Sequence, residues 1–170
     1  MWSTVFIFIA CIIYILYNIT ALKLFGIPKS LSNTYYLYQE KKSWMKILFP
    51  IMMISISVFL MPAWLEISLG SNLQFLAFLA VGGILFTGAA PAFKHSKLED
   101  RVHTISAICA AVFSLLWVFF VSNAWWTILI WTAVVMFCSI KTKTLNKCLI
   151  YWLETIAFMS TLSSILIYLI

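Results

Sequence analysis

The chain has 170 residues, of which 64% are hydrophobic and 9% charged, and its net charge is +6. Soluble domains carry about a quarter charged residues, so this surface is not made for water. A soluble enzyme and a nucleic-acid-binding domain are both excluded, and the basic excess has to be read from where it falls along the chain. The four cysteines form no CxxC, which removes zinc-ribbon and redox spacings and leaves buried, reduced thiols that pack as small apolar residues.

The opening MWSTVFIFIACIIYILYNITAL lacks the basic n-region and small-residue cleavage site of a signal peptide and reads as a retained first span. About 20 apolar residues cross roughly 30 Å of hydrocarbon. Segments at or near that length are Trp2–Leu22, Ile47–Trp64, Leu73–Ala90, Val102–Val121, Ala124–Ile140 and Leu149–Ile170, the second and fifth being short. The expected fold is all-α: one polytopic transmembrane domain over residues 1–170, built as a six-helix bundle. Pro50 and Pro62 bracket the second span and are expected to limit or kink it. Only Ser-Asn separates spans four and five, which predicts a tight antiparallel hairpin.

All eleven basic residues fall in three loops: Lys23, Lys29, Lys41, Lys42 and Lys46; then Lys94, Lys97 and Arg101; then Lys141, Lys143 and Lys147. The positive-inside rule makes those loops cytoplasmic and puts both termini outside. Trp64 and Trp125–Trp126 are then expected at the outer interface, and Trp44 and Trp152 at the inner one. The longest loop, about residues 23–46, contains GIPKSLSNTYYLYQEKK. Its Gly-Ile-Pro marks a turn, and SLSNTYY reads as a short interfacial helix with tyrosines at the headgroups. A lid folded back over a site is the alternative.

Polar groups inside spans need an account, because each ionisable one costs a few kcal/mol there. Glu154, seven residues after Lys147, lies about 10 Å along its helix from the inner boundary. Asn18, Thr87 and His103 belong to the same inner third, and together they form a polar layer able to line a pocket open to the cytoplasm. The bland reading is that they bond one another as interhelical glue. Glu66, at the outer end of span two, reads as a solvated carboxylate. His95, Glu99 and His103 share a spacing of four. The two histidines would stand about 12 Å apart on a straight helix, so one metal cannot take both, and Glu99 with His103 is the better pair. No metal site is expected, and the cofactor is left open. Ser106, Ala110 and Ser114 in span four and Gly82, Gly83, Thr87, Gly88 and Ala89 in span three are small-residue stripes that let helices approach. Spans three and four are therefore expected to pack together at the centre.

The segments GIPKSLSNTYY, GAAPAFK and LEDRVHTISA resemble a group of small six-span membrane proteins from gut Bacteroidales and their phages. The resemblance implies a bacterial inner-membrane location and a partnership between the first and third loops. It implies no activity. The leading functional expectation is a membrane protein that binds a small ligand, lipid or partner through the layer of Asn18, Thr87, Glu99, His103 and Glu154. Its expected partners are membrane lipids and a second copy or another protein, with no nucleic acid. The alternatives are an intramembrane enzyme on a lipid-like substrate, with His103 and Glu154 as catalytic acid and base, and a transporter or oligomeric pore.

Overall fold

The computed structural model describes residues 2–169. Met1, and Ile170 at the end of the sixth expected segment, lie outside them. There are seven α-helices: α1 (Trp2–Phe25), α2 (Thr34–Lys41), α3 (Leu48–Ser68), α4 (Phe75–Ala89), α5 (Lys97–Phe120), α6 (Trp126–Lys141) and α7 (Leu149–Leu169), with a 3-10 turn over Ser43–Ile47 ahead of α3. No strand occurs among the described residues.

Four segments are long and apolar enough to cross a membrane: α1, the 3-10 turn continued by α3, α5 and α7. The apolar helices α4 and α6 have 15 and 16 residues, about 22 and 24 Å at the helical rise. The helices are patterned inside out relative to a water-soluble bundle. Val5, Phe8, Ile12, Leu16 and Ile19 form one exposed face of α1, and Ile105, Ile108, Val112, Leu116 and Phe119 one exposed face of α5. The buried faces carry Tyr14 and Asn18, or His103, Ser106 and Ser114. Apolar faces of this extent need an apolar solvent.

Local chemistry sets the helix ends. Gly26, at φ +69°, ends α1 and returns its N–H to the Leu22 carbonyl, a left-handed position that a side chain would strain. Ser96 caps α5: its hydroxyl accepts the Glu99 N–H at 3.1 Å, and Glu99 and Asp100 complement the positive helix end. Pro62 does not stop α3, which runs four residues past the expected end at Trp64 to Ser68. Buried hydroxyls on Ser57, Thr87 and Thr161 turn back onto carbonyls one turn earlier in their own helices, which removes their cost in a dry interior.

Helix α3 is the centre, packed on α1, α4 and α7; α5 packs on α4 and α7, and α7 on α1, closing a ring. The expected pairing of spans three and four is present as α4 against α5. A Cβ at Gly83 would stand 2.6 Å from the Ala110 nitrogen and 2.7 Å from the Ser106 oxygen, so the backbones touch where the two small stripes meet. The expectation that this pair is central is corrected, since α5 shows a full apolar face to the outside. The expected hairpin of spans four and five is also overturned. Asn123 takes a left-handed turn at φ +56°, and α6 then leans on α7 rather than on α5. The polar groups explain this. Trp131 Nε1 donates to Ser163 at 2.9 Å, and Thr127 reaches Ser160 and Ser164 at the far end of α7, while the inner face of α5 is already spent on α4 and α7.

Candidate functional site

The first loop folds back against the bundle. Gly26 and Pro28 turn the chain so that alternate loop residues run along the first two turns of α7. Cys148 Sγ donates to the Ile27 carbonyl at 3.5 Å, Tyr151 N–H to the Lys29 carbonyl at 3.1 Å, and Leu31 N–H to Glu154 Oε2 at 2.6 Å. Two extended residues rise about as far as three or four helical ones, so loop positions 27, 29 and 31 meet helix positions 148, 151 and 154. The Tyr151 N–H belongs to the orphan donors of a helix start, and the loop satisfies it.

The next residue turns the other way. Ser32 Oγ is 2.8 Å from His103 Nε2 on α5, and His103 Nδ1 donates to the Ala90 carbonyl at 2.9 Å, at the C-terminus of α4. Phe93 stacks on the imidazole with centroids 4.5 Å apart. Thr34 bonds the Leu31 carbonyl and the Tyr17 hydroxyl. Tyr35 and Tyr38 are buried, Tyr38 under Tyr17 and Phe25. The expected short helix forms as α2, but the expectation that its tyrosines face outward is corrected for Tyr35 and Tyr38. The segment folds back into the bundle, as in the lid alternative, because Ser32 and Thr34 find partners there.

The first loop is also joined, further out, to the connection between α4 and α5. Lys94 N–H donates to the Tyr36 hydroxyl at 2.7 Å, and its ammonium lies 4.1 Å from the Tyr36 ring centroid and 3.3 Å from Asn33 Oδ1. Desolvation raises the Tyr36 phenol pKa, and the Lys94 N–H pulls against it, so the phenol stays neutral and accepts this bond.

A cavity of about 40 Å³, measured by the centres of a water-sized sphere, lies between α3, α4, α5 and α7. That is room for about three waters. Its wall includes Glu154, Thr87, Leu31, Ser32, Trp64, Ser114, Thr161 and a row of alanines on α5. Of the expected site residues, Glu154 and Thr87 share this wall. His103 does not line it, so the expected common cavity of His103 and Glu154 is corrected: Leu31 and Ser32 stand between them. Asn18 lies elsewhere, donating to the Tyr14 carbonyl at 2.9 Å and accepting from the Tyr151 hydroxyl at 3.3 Å. Glu99 caps its own helix through Ser96, so the expected Glu99–His103 pair does not form; the histidine turns inward and the carboxylate outward. His95 precedes α5 and is exposed. No three His, Cys, Asp or Glu side chains gather among the described residues.

Three wall residues escaped the reading of the sequence. Leu31 and Ser32 sat in a loop with no charge to mark them. Trp64, expected in the outer belt, is 0% exposed and packs edge-on against Trp117 at 5.7 Å. Trp152 is buried as well, whereas Trp44, Trp125 and Trp126 are exposed. Of the cysteines, Cys148 is buried and the other three half-buried. Glu66 is exposed as expected, and accepts from the Ser3 hydroxyl.

No family model, curated protein or solved structure matches the chain.

Proposed function

We propose that this is a multi-pass protein of a bacterial inner membrane, with six spans and both termini outside, that holds a small ligand beside Glu154 under a cover formed by residues 27–38. The placement of every basic residue in three loops supports the orientation, and the likeness of loops one and three to small Bacteroidales membrane proteins supports the location. The helices α4 and α6, of 15 and 16 residues, span the bilayer if it thins slightly around them. The lysines of the cytoplasmic loops meet anionic headgroups.

One observation carries the binding reading. Consecutive residues of the first loop bond Glu154 and His103 inside the bundle, Leu31 the first and Ser32 the second, and both line a partly open cavity that the carboxylate also lines. The acid–base alternative is less favoured, because both ring nitrogens of His103 are engaged and the ring is off the cavity. Native mass spectrometry of the protein released from its own membranes tests the reading. A bound small species should be present on the native chain and lost from Glu154→Gln and from Ala157→Leu, which fills the cavity. A bound species that persists in both variants overturns it.

A further inference from the structure

We propose that the ligand held beside Glu154 is one acyl chain of a membrane phospholipid, entering from the side between α5 and α7. The inference rests on the cavity-binding reading and names its ligand class. The lining decides the chemistry. It is almost wholly apolar, with a row of alanines on α5 and Met53, Leu60 and Ile84 on α3 and α4. Three of its hydroxyls are turned to their own helices: Thr87 donates to the Gly83 carbonyl, Thr161 to Ala157 and Ser114 to Ala111. The Ser32 hydroxyl bonds His103, and the Glu154 carboxyl takes the Leu31 N–H. A polar solute finds few partners on such a wall. Left empty, the wall forfeits its contacts, and apolar cavities take apolar guests rather than water.

The way in decides the source. Leu31 and Ser32 stand at the loop end of the cavity with 2% and 4% exposure, and its lining residues on α3 and α4 are all buried. On the wall, accessible surface remains at Ala107, Ala110 and Ala111 of α5 and at Glu154 and Phe158 of α7. The opening therefore lies in the α5–α7 seam. Helix α6 packs on α7 rather than on α5, so it does not bridge that seam. On these two helices Ile108, Val112 and Leu153 are exposed, part of the apolar surface that calls for an apolar solvent. What stands at the mouth is hydrocarbon. The dimensions agree with a single chain. The lining runs from Ala107 to Ser114 on α5 and from Glu154 to Thr161 on α7, seven residues or about 10 Å on each. About 40 Å³ spread over that length is a slot for one file of methylenes rather than two. It begins about 8 Å along α7, at the depth of lipid chains and not of lipid heads. A free fatty acid entering head first would bring a second carboxylate to Glu154, and like charges so close are disfavoured. A phospholipid leaves its head at the surface and offers the slot carbon alone.

Nanodiscs doped with a phosphatidylcholine that carries a diazirine midway along one acyl chain test this. After irradiation, adducts mapped by peptide mass spectrometry are expected on Trp64, Ile84 or Thr87, which are 0%, 4% and 2% exposed and out of reach of lipid around the bundle. Adducts on Ile108 and Val112 report that surrounding lipid. Ala111→Phe narrows the seam, and Ala107→Leu does so with less bulk. Each should lower the inner adducts about fivefold or more relative to the outer ones, as the loss of several carbon contacts requires. Glu154→Gln should lower them too, because it weakens the Leu31 bond at the loop end and brings N–H donors to an apolar wall. Outer adducts without inner ones on the native chain, or inner adducts that neither alanine variant lowers, overturn the proposal. Inner adducts from a diazirine fatty acid but not from the phosphatidylcholine also overturn it, and assign the space to a free acid. If the phospholipid does not reach the inner residues but a species lost from Glu154→Gln and Ala157→Leu is still seen by native mass spectrometry, the chain falls and the cavity reading stands. If neither is seen, both fall.

Discussion

In the orientation proposed above the bundle has a cytoplasmic and an outer half, and the two treat the same problem, polar groups in an apolar interior, by different means. In the outer half the groups are neutral and pair helix to helix. Trp117 Nε1 donates to Ser68 at 2.7 Å, Ser122 and Thr127 meet Ser164, and Trp131 meets Ser163. In the cytoplasmic half Asn18 and Tyr151 also pair helix to helix, but Glu154 and His103 take partners from a loop, Leu31 and Ser32. A helix-to-helix bond is broken only by moving a span. A loop-to-helix bond is broken by moving a few residues of loop.

Both halves hang on the seam between α4 and α5, and the largest effect is expected there. Gly83→Val puts carbon into the backbone of α5, and overpacking of that kind costs about 1–3 kcal/mol, occasionally more. Gly82→Val, one residue away, meets nothing within 4 Å and should cost under about 1 kcal/mol. Unfolding in mixed micelles compares the two. Equal stability would mean that α4 and α5 do not touch where they are described as touching.

Next in size is His103→Ala. It leaves the buried Ser32 hydroxyl and the Ala90 carbonyl without their partner, a loss of about 1–3 kcal/mol. The distribution of that loss matters more than its size. Hydrogen exchange should quicken across residues 27–38 and stay unchanged in the outer turns of α3, α5 and α7. Quickening through both halves alike would show that the loop is no separate cover.

This division explains what could be read from the residues alone. Apolar helices are announced by composition, and each apolar run is a helix within about five residues of its expected ends. Gly83 and Ala110 announced their seam because only small side chains let backbones meet. Glu154 and Thr87 were legible as polar groups at one depth. The cover was not. Leu31 and Ser32 are ordinary loop residues whose roles come from partners on α7 and α5, 123 and 71 positions away, and no local pattern encodes that. Trp64 misled for a related reason, since an aromatic near a span end is a belt residue or a wall residue according to which neighbour it faces. The α5–α6 hairpin failed because a short connection fixes where a helix begins, while Thr127 and Trp131 decide which way it leans.

The smallest effect tests the outer half. Trp117→Phe removes the N–H given to Ser68 but keeps a ring against Trp64. Ser68 still donates to the Trp64 carbonyl, so its hydroxyl proton stays satisfied and only an acceptor is freed. Hydrogen bonds between spanning helices average about 0.6 kcal/mol, and a loss of that order is expected in mixed-micelle unfolding, with exchange in residues 27–38 unchanged. A cost of several times that value, or a loosened cover, would mean that the outer pairs set the geometry of the whole ring. The cytoplasmic half could not then open alone, because withdrawing Leu31 from Glu154 would require the same spans to move that hold Trp117 against Ser68.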